Sequence, residues 1–273
     1  MKTVCEVDQC AGCMACMEMC PQNAIRIEDS LKAFNAIITD ACIDCGACHR
    51  LCQRNCPAAF LKPLILYQGW AKNDEVRKAG SSGGVATALA EAFIRDGGYV
   101  CSCVFENGRF RFTLVNSTDE LKRFAGSKYV KSNPEGVYKA IRERLKTGDK
   151  VLFIGLPCQV SALRNFVGHK LDNNLVTVDL ICHGTPSLNI LERFLMQYGV
   201  ELNNCKEIRF RTKGKFRLEK ECQGFTPIGV SDRYLIAFLS ALTYTENCYD
   251  CQYAKLERVS DVTLGDSWGS ELK

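Results

Sequence analysis

Cys10-Ala11-Gly12-Cys13-Met14-Ala15-Cys16-Met17-Glu18-Met19-Cys20-Pro21 sets the fold of the first part of this chain, because its cysteine spacing returns 32 residues later in Cys42-Ile43-Asp44-Cys45-Gly46-Ala47-Cys48-His49-Arg50-Leu51-Cys52-Gln53. Three thiolates at i, i+3 and i+6 wrap a tight loop around one face of a cubic 4Fe-4S cluster, and a fourth, followed by proline, turns away to ligate the other cluster. The spacing therefore predicts a crossed assignment. One cluster takes Cys10, Cys13, Cys16 and Cys52; the second takes Cys42, Cys45, Cys48 and Cys20. Structural zinc usually uses paired cysteines separated by a long gap, which is not this pattern. Two departures stand out: Gln53 replaces the proline expected after the last ligand, and Cys56 is followed by Pro57. Only Cys52 preserves the spacing, so it is read as the eighth ligand ahead of Cys56. Cys5 falls outside the pattern and reads as packing.

The chain has 273 residues, 47% of them hydrophobic, enough for a sizeable core. Ten of its 18 cysteines precede position 60, so the excess sits where the motif sits. The formal charge of +4 does not read as nucleic-acid binding, since no long basic block with interleaved aromatics occurs and anionic clusters would reverse the sign. With no apolar leader and no membrane-spanning run, the chain is expected in a reducing cytoplasm, which argues against a disulfide framework. In that compartment the Asn116-Ser117-Thr118 acceptor motif meets no glycosylation machinery. Only three histidines occur, leaving little material for a histidine-rich metal site.

Residues 1–62 are expected to form a ferredoxin-like bicluster domain, with strand segments at Ala24-Ile25-Arg26-Ile27 and Ala36-Ile37-Ile38-Thr39. So short a unit relies on metal-thiolate bonds for stability, and its apo form should be largely unfolded. Residues 63–273 are expected to form a mixed α/β domain with a partly parallel sheet, giving an α+β and α/β chain overall. Gly80-Ser81-Ser82-Gly83-Gly84 leads into a helix carrying Val85, Leu89, Ala92 and Phe93 at helical spacing and stopped by Gly97-Gly98. Such a loop suits a phosphate through its backbone N–H groups, and a plain capping turn would look the same. Asn107-Gly108 marks a hairpin between two strands, with Cys101 and Cys103 on one core-facing side. Asn133-Pro134 is read as capping a helix with Val137, Ile141 and Leu145 inward.

Val151 to Gly155 and Leu175 to Ile181 read as buried strands joined by a helix from Pro157 to about Val167, and that crossover predicts parallel pairing. Cys158 and Cys182 then fall at the carboxyl edge of the sheet, where open α/β sheets place ligands. Cys248 and Cys251 complete a set of four. By spacing alone this set is open to a third 4Fe-4S cluster, to zinc or to unrelated buried thiols.

Ser82-Gly83-Gly84-Val85, Ala125-Gly126-Ser127-Lys128-Tyr129, Gly155-Leu156-Pro157-Cys158-Gln159, Cys182-His183-Gly184, the Cys248/Cys251 pair and Gly265-Asp266-Ser267-Trp268-Gly269 together resemble the family of coenzyme F-420 hydrogenase/dehydrogenase beta subunits. The resemblance covers nearly the whole chain. It implies an iron-sulfur flavoprotein with a third cluster on Cys158, Cys182, Cys248 and Cys251. It also implies FAD near Ser82, Gly83, Gly84, Thr87, Ser127 and Lys128, with Lys128 neutralising a diphosphate. The chain stops at Lys273, four residues beyond the last motif, where relatives continue, so a fragment or a shortened member is expected.

Electron counting gives these parts a common logic. Hydride carriers move two electrons and 4Fe-4S clusters one, so a flavin must stand between them. Single electrons are expected to pass between the N-terminal clusters, the cluster of the larger domain and FAD, which exchanges two electrons with a small-molecule donor or acceptor. A redox partner protein or ferredoxin would sit at the other end. His183 is the best candidate for proton handling, against a plain loop histidine that orients its neighbours. The rival reading is an electron-transfer subunit carrying clusters alone and docking on a catalytic partner.

Overall fold

In the computed structural model, residues 2–212, 215–221, 223–225 and 232–267 are described. Trp268 and Gly269 of the last motif and Cys222 lie outside them. Each cysteine triplet runs into one short helix, α1 (Ala15–Met19) and α2 (Ala47–Leu51). Met14 and Gly46 enter these helices with positive φ, the turn needed to wrap three sulfurs around one point. Between them β1 (Ile25–Asp29) and β2 (Phe34–Ile38) pair antiparallel, with Ile25 opposite Ile38. The expected strands are thus the two arms of one hairpin. Val4, Cys5, Ile25, Phe34 and Ile38 pack with Cys10 and Cys16 into a small core.

The chain then forms α3 (Asp74–Ala79), α4 (Val85–Arg95), β3 (Tyr99–Glu106), β4 (Arg109–Val115), α5 (Val137–Lys146), β5 (Val151–Gly155), α6 (Pro157–Val167) and β6 (Leu175–Leu180). Further on come α7 (Leu188–Met196), β7 (Ile208–Thr212), β8 (Lys215–Lys220), β9 (Gln223–Gly224), α8 (Arg233–Leu239), α9 (Glu246–Tyr249) and β10 (Val262–Leu264). The central sheet has the order β10-β6-β5-β3-β4, parallel except at the β3-β4 hairpin, which turns at Asn107-Gly108. The partly parallel α/β architecture is therefore present.

Side chains alternate across this sheet. Val100, Leu152, Ile154 and Val178 face Ala90 of α4, while Cys101, Phe153 and Leu175 face Tyr138, Ile141, Leu163 and Phe166 of α5 and α6. Cys103 joins the rim of the second set, as the strand period requires. A second core beneath β7 and β8 gathers Phe110, Leu191, Phe210 and Tyr234.

Two features depart from expectation. Asn133 accepts from the Glu135 N–H at 2.8 Å, but α5 begins later, after Gly136 at φ 84°. The helix is instead capped from outside: both oxygens of Glu18 on α1 accept, one from Gly136 N–H and one from Lys139 N–H, each at 2.8 Å. Nor does the cysteine unit stand apart, since Cys13, Ala15 and Leu51 lie in the same core as Tyr138, Leu163 and Phe166.

Candidate metal centres and the glycine loop

The outer quartet surrounds a cavity of about 20 Å³ lined by Cys20, Cys42, Cys45 and Cys48 together with apolar side chains such as Ile25 and Ile38. Cys20, which the spacing assigns to this quartet from the other loop, lines the same cavity. Backbone N–H groups point at these sulfurs, from Ala24 to Cys20 at 3.3 Å and from Asp44 to Cys42 at 3.4 Å. Cys45 is exposed, so this quartet lies at the surface.

In the inner quartet Cys10, Cys13 and Cys16 are buried and Cys52 is half-buried. Burial, with the charges of Cys10 and Cys52 nearby, holds the thiols of Cys13 and Cys16 well above the ordinary range. Cys52 moves the other way: a hydrogen bond with the Cys5 thiol draws it down to about 6, and the same thiol lowers Cys10. Cys5 packs in the same small core as Cys10, with Cys52 against it. Cys56 is exposed. Burying several thiolates in one another's fields is unfavourable unless a cation joins them, and this donor set fits an iron cluster with Cys52 in fourth place.

Cys158, Cys182, Cys248 and Cys251 line a second cavity, of about 70 Å³. Their elements explain the convergence. Cys158 sits in the first turn of α6, just past β5, and Cys182 just past β6, so both fall at the carboxyl edge; α9 brings Cys248 and Cys251 across the top. Burial pushes Cys158 up and raises Cys182 to about 12, each reinforced by the other thiols of the set. Cys248 differs: burial opposes ionisation, yet the Lys131 charge and hydrogen bonds from Thr245 and Thr185 outweigh it. The all-sulfur donor set of four again fits a cluster.

This cavity also reaches Ala11, Gln53 and Arg54 of the cysteine unit. Gln53 is 2% exposed. Its side-chain oxygen accepts from the Tyr253 hydroxyl at 2.6 Å and its carbonyl from Gln252 Nε2 at 2.6 Å. The residue in the proline position therefore joins the chain next to Cys52 to the chain next to Cys251. Arg54 adds bonds to the carbonyl and carboxylate of Asp250. His183 lines the cavity with its Nδ1 hydrogen-bonded to the Tyr244 hydroxyl and its ring 4.9 Å from that of Phe238. Burial lowers its pKa.

The glycine loop and the 125–129 segment meet. Ser81 Oγ accepts from Ser127 N–H at 2.8 Å. Gly84 enters α4 at φ 75°, where a Cβ would lie 3.0 Å from Arg77 Cα; one on Gly83 would meet Trp70 Cβ at 3.3 Å. Both glycines are needed for packing, and the first-turn amides of α4, which carries Thr87, have no acceptor within their helix. Lys128 is tied into the same segment. Its ammonium donates to the carbonyls of Phe124, Ala125 and Gly126 at 2.9, 3.3 and 3.0 Å, which engages all three of its donors.

Sequence reading missed Lys131, Thr245, Asn247, Tyr253 and Glu18. Each acts on a partner far away along the chain, and only Gln53 left a visible trace, as a broken motif.

Three comparisons bear on this arrangement. A sequence model of the coenzyme F-420 hydrogenase/dehydrogenase beta subunit, N-terminal part, matches residues 66–137, its C-terminal counterpart matches 148–273, and a 4Fe-4S dicluster domain matches 9–62. Among curated proteins, a subunit of the F(420)H(2) dehydrogenase of Methanosarcina mazei is 27% identical over 230 residues. The match takes in 77% of this chain and 63% of that protein, so the chain spans under two thirds of its relative's length. Among solved structures, a chain of the xenon-derivatised F-420-reducing NiFe hydrogenase complex from Methanosarcina barkeri superposes with a TM-score of 0.55 at 21% identity, covering 77% of this chain and 74% of that one. At that identity the likeness shows the fold alone.

Proposed function

Because this chain belongs to the family of coenzyme F-420 hydrogenase/dehydrogenase beta subunits, with a 4Fe-4S dicluster unit ahead of the beta-subunit part, we propose that it is an iron-sulfur flavoprotein oxidoreductase. Three clusters, which would be held by Cys10, Cys13, Cys16 and Cys52, by Cys20, Cys42, Cys45 and Cys48, and by Cys158, Cys182, Cys248 and Cys251, would supply one-electron transfer, and FAD at the glycine loop would supply two-electron or hydride exchange with a small-molecule substrate or deazaflavin-type carrier. A redox partner protein or ferredoxin serves the outer clusters. The observation that carries this reading is the line of three cysteine quartets, the outer one at the surface and the inner one abutting the cavity of the third. When bound, the clusters supply one-electron steps and the flavin joins them to two-electron chemistry.

The protein's own residues fix the geometry. Gln53, Gln252 and Tyr253 hold the inner and third quartets against each other. Apolar neighbours such as Phe34 and Ile25 keep water from the sulfurs of the cysteine unit. Ser82, Gly83, Gly84, Thr87 and Ser127 offer a hydroxyl- and amide-lined turn for the flavin diphosphate. Lys128 serves that turn by tying its carbonyls inward, leaving the amides to face a ligand.

Anaerobic purification with iron, sulfide and flavin quantitation tests the proposal. The expected result is about twelve irons and one flavin per chain. A preparation holding about twelve or eight irons and no flavin would favour the cluster-only electron-transfer subunit. Colourless protein containing zinc and no acid-labile sulfide would overturn the redox reading altogether.

A further inference from the structure

Lys131 is 8% exposed and lies between two of the three quartets. Its stem crosses the first cysteine loop, where a Cβ on Gly12 would sit 3.2 Å from Lys131 Cδ. Its ammonium donates to Ala11 carbonyl at 3.3 Å, within the Cys10–Cys13 loop, and on the other side to Thr245 Oγ1 at 2.8 Å and Asn247 Oδ1 at 3.3 Å. Thr245 and Asn247 contact Cys248 Sγ in turn, at 3.5 and 3.6 Å. The Phe34 ring covers the ammonium at 5.1 Å. Among the described residues, every one of these partners is neutral. A buried cation with only neutral partners is costly and is retained where an anion completes it. The two quartets supply that anion: the ammonium reaches the Cys10–Cys13 loop on one side and, through Thr245 and Asn247, Cys248 on the other.

We propose that Lys131 is a potential-setting residue shared by two clusters, the one on Cys10, Cys13, Cys16 and Cys52 and the one on Cys158, Cys182, Cys248 and Cys251. The second half of this claim rests on the third cluster proposed above. Adding one electron to either centre makes it one charge more negative and moves no proton; Lys131 favours that reduced form in both, and so keeps their potentials raised together. Transfer between them removes one electron from the first centre and adds it to the second, with the same cation serving both ends. The outer quartet has no such residue among the described ones. Its nearby cations, Lys2 and Arg50, are both exposed, Lys2 being paired with Asp44 and Arg50 lying against Gly46 at the rim of the loop.

The test is an anaerobic redox titration of the whole protein followed by electron paramagnetic resonance, in wild type, Lys131→Gln and Lys131→Arg. In Lys131→Gln two of three centres should become harder to reduce, by at least a tenfold fall in the reduced-to-oxidised ratio at fixed potential, about 59 mV for one electron. The third centre should not move, and Lys131→Arg should restore the other two. Unchanged potentials in a fully loaded Lys131→Gln protein, or an equal shift in all three centres, would overturn the role. If Lys131→Gln loses iron, retention in Lys131→Arg still assigns the role to charge, whereas loss in both assigns it to shape and overturns it. Wild-type protein with two centres would instead refute the third cluster, and the single shift of the inner centre would then decide Lys131 by itself.

Discussion

Cys52 and Cys56 sit four positions apart and differ in their surroundings more than in their spacing. Cys52 touches Cys5 and feels Cys10 and Cys16, while Cys56 is exposed and its N–H donates to the Cys52 carbonyl at 2.8 Å. Cys56→Ser should therefore keep the full iron complement, and Cys52→Ser should lose up to about four irons per chain; the reverse ranking in an iron assay would move the ligand. Gln53 shows where residue-level reading stops. Its departure from proline was visible, but its partner Tyr253 is 200 positions away and nothing local announces it. Tyr253→Phe leaves the buried Gln53 oxygen with a weaker bond from Gln252 at 3.3 Å, and should cost about 1 kcal/mol in anaerobic denaturant unfolding. A stability equal to wild type would remove this contact from the joint.

At the scale of elements, α5 depends on a cap that belongs to another part of the chain. Glu18→Ala removes the acceptor for two N–H groups at the start of α5 and should cost about 1 kcal/mol. Burial raises the Glu18 pKa above its usual 4.5, against the lowering by those N–H bonds. The folded state then binds a proton more readily than the unfolded one, so stability falls as pH rises from about 4.5 through the raised value. Glu18→Gln has no such slope. Wild-type stability minus that of Glu18→Gln should fall as pH rises through that window, and a difference that rises would reverse the sign of the burial effect. The strands β3, β5 and β6 and the helices α4 and α6 were legible because apolar runs and Gly or Pro punctuation mark them directly. The α5 start was not, since Glu18 supplies the cap through space. β10 was not either: its three residues pair with β6 without an apolar run of their own, and Val262 is exposed.

For the whole molecule, the decisive fact is that the cysteine unit and the α/β body share a core. Sequence alone divides the chain near residue 62, because the cysteine density ends there and a Pro- and Gly-containing connector begins. Packing crosses that division: Cys13, Ala15 and Leu51 pack among Tyr138, Leu163 and Phe166, and Ala58 N–H donates to Ser161 Oγ on α6 at 2.8 Å. Cluster bonds therefore hold more than the loops that carry them. Cys13→Ala removes one ligand of the inner quartet and, with the cluster gone, releases burial at the face of α6. Separable modules would confine the loss of amide protection to residues 1–62; a shared core should extend it into α5 and α6. Hydrogen exchange followed by mass spectrometry reads this difference directly, with Cys45→Ala as the control, since Cys45 is exposed and its quartet faces outward. Protection should fall in α5 and α6 for Cys13→Ala and stay near wild type there for Cys45→Ala. Equal protection of α6 in both variants would mean that the cysteine unit rests on the body without supporting it.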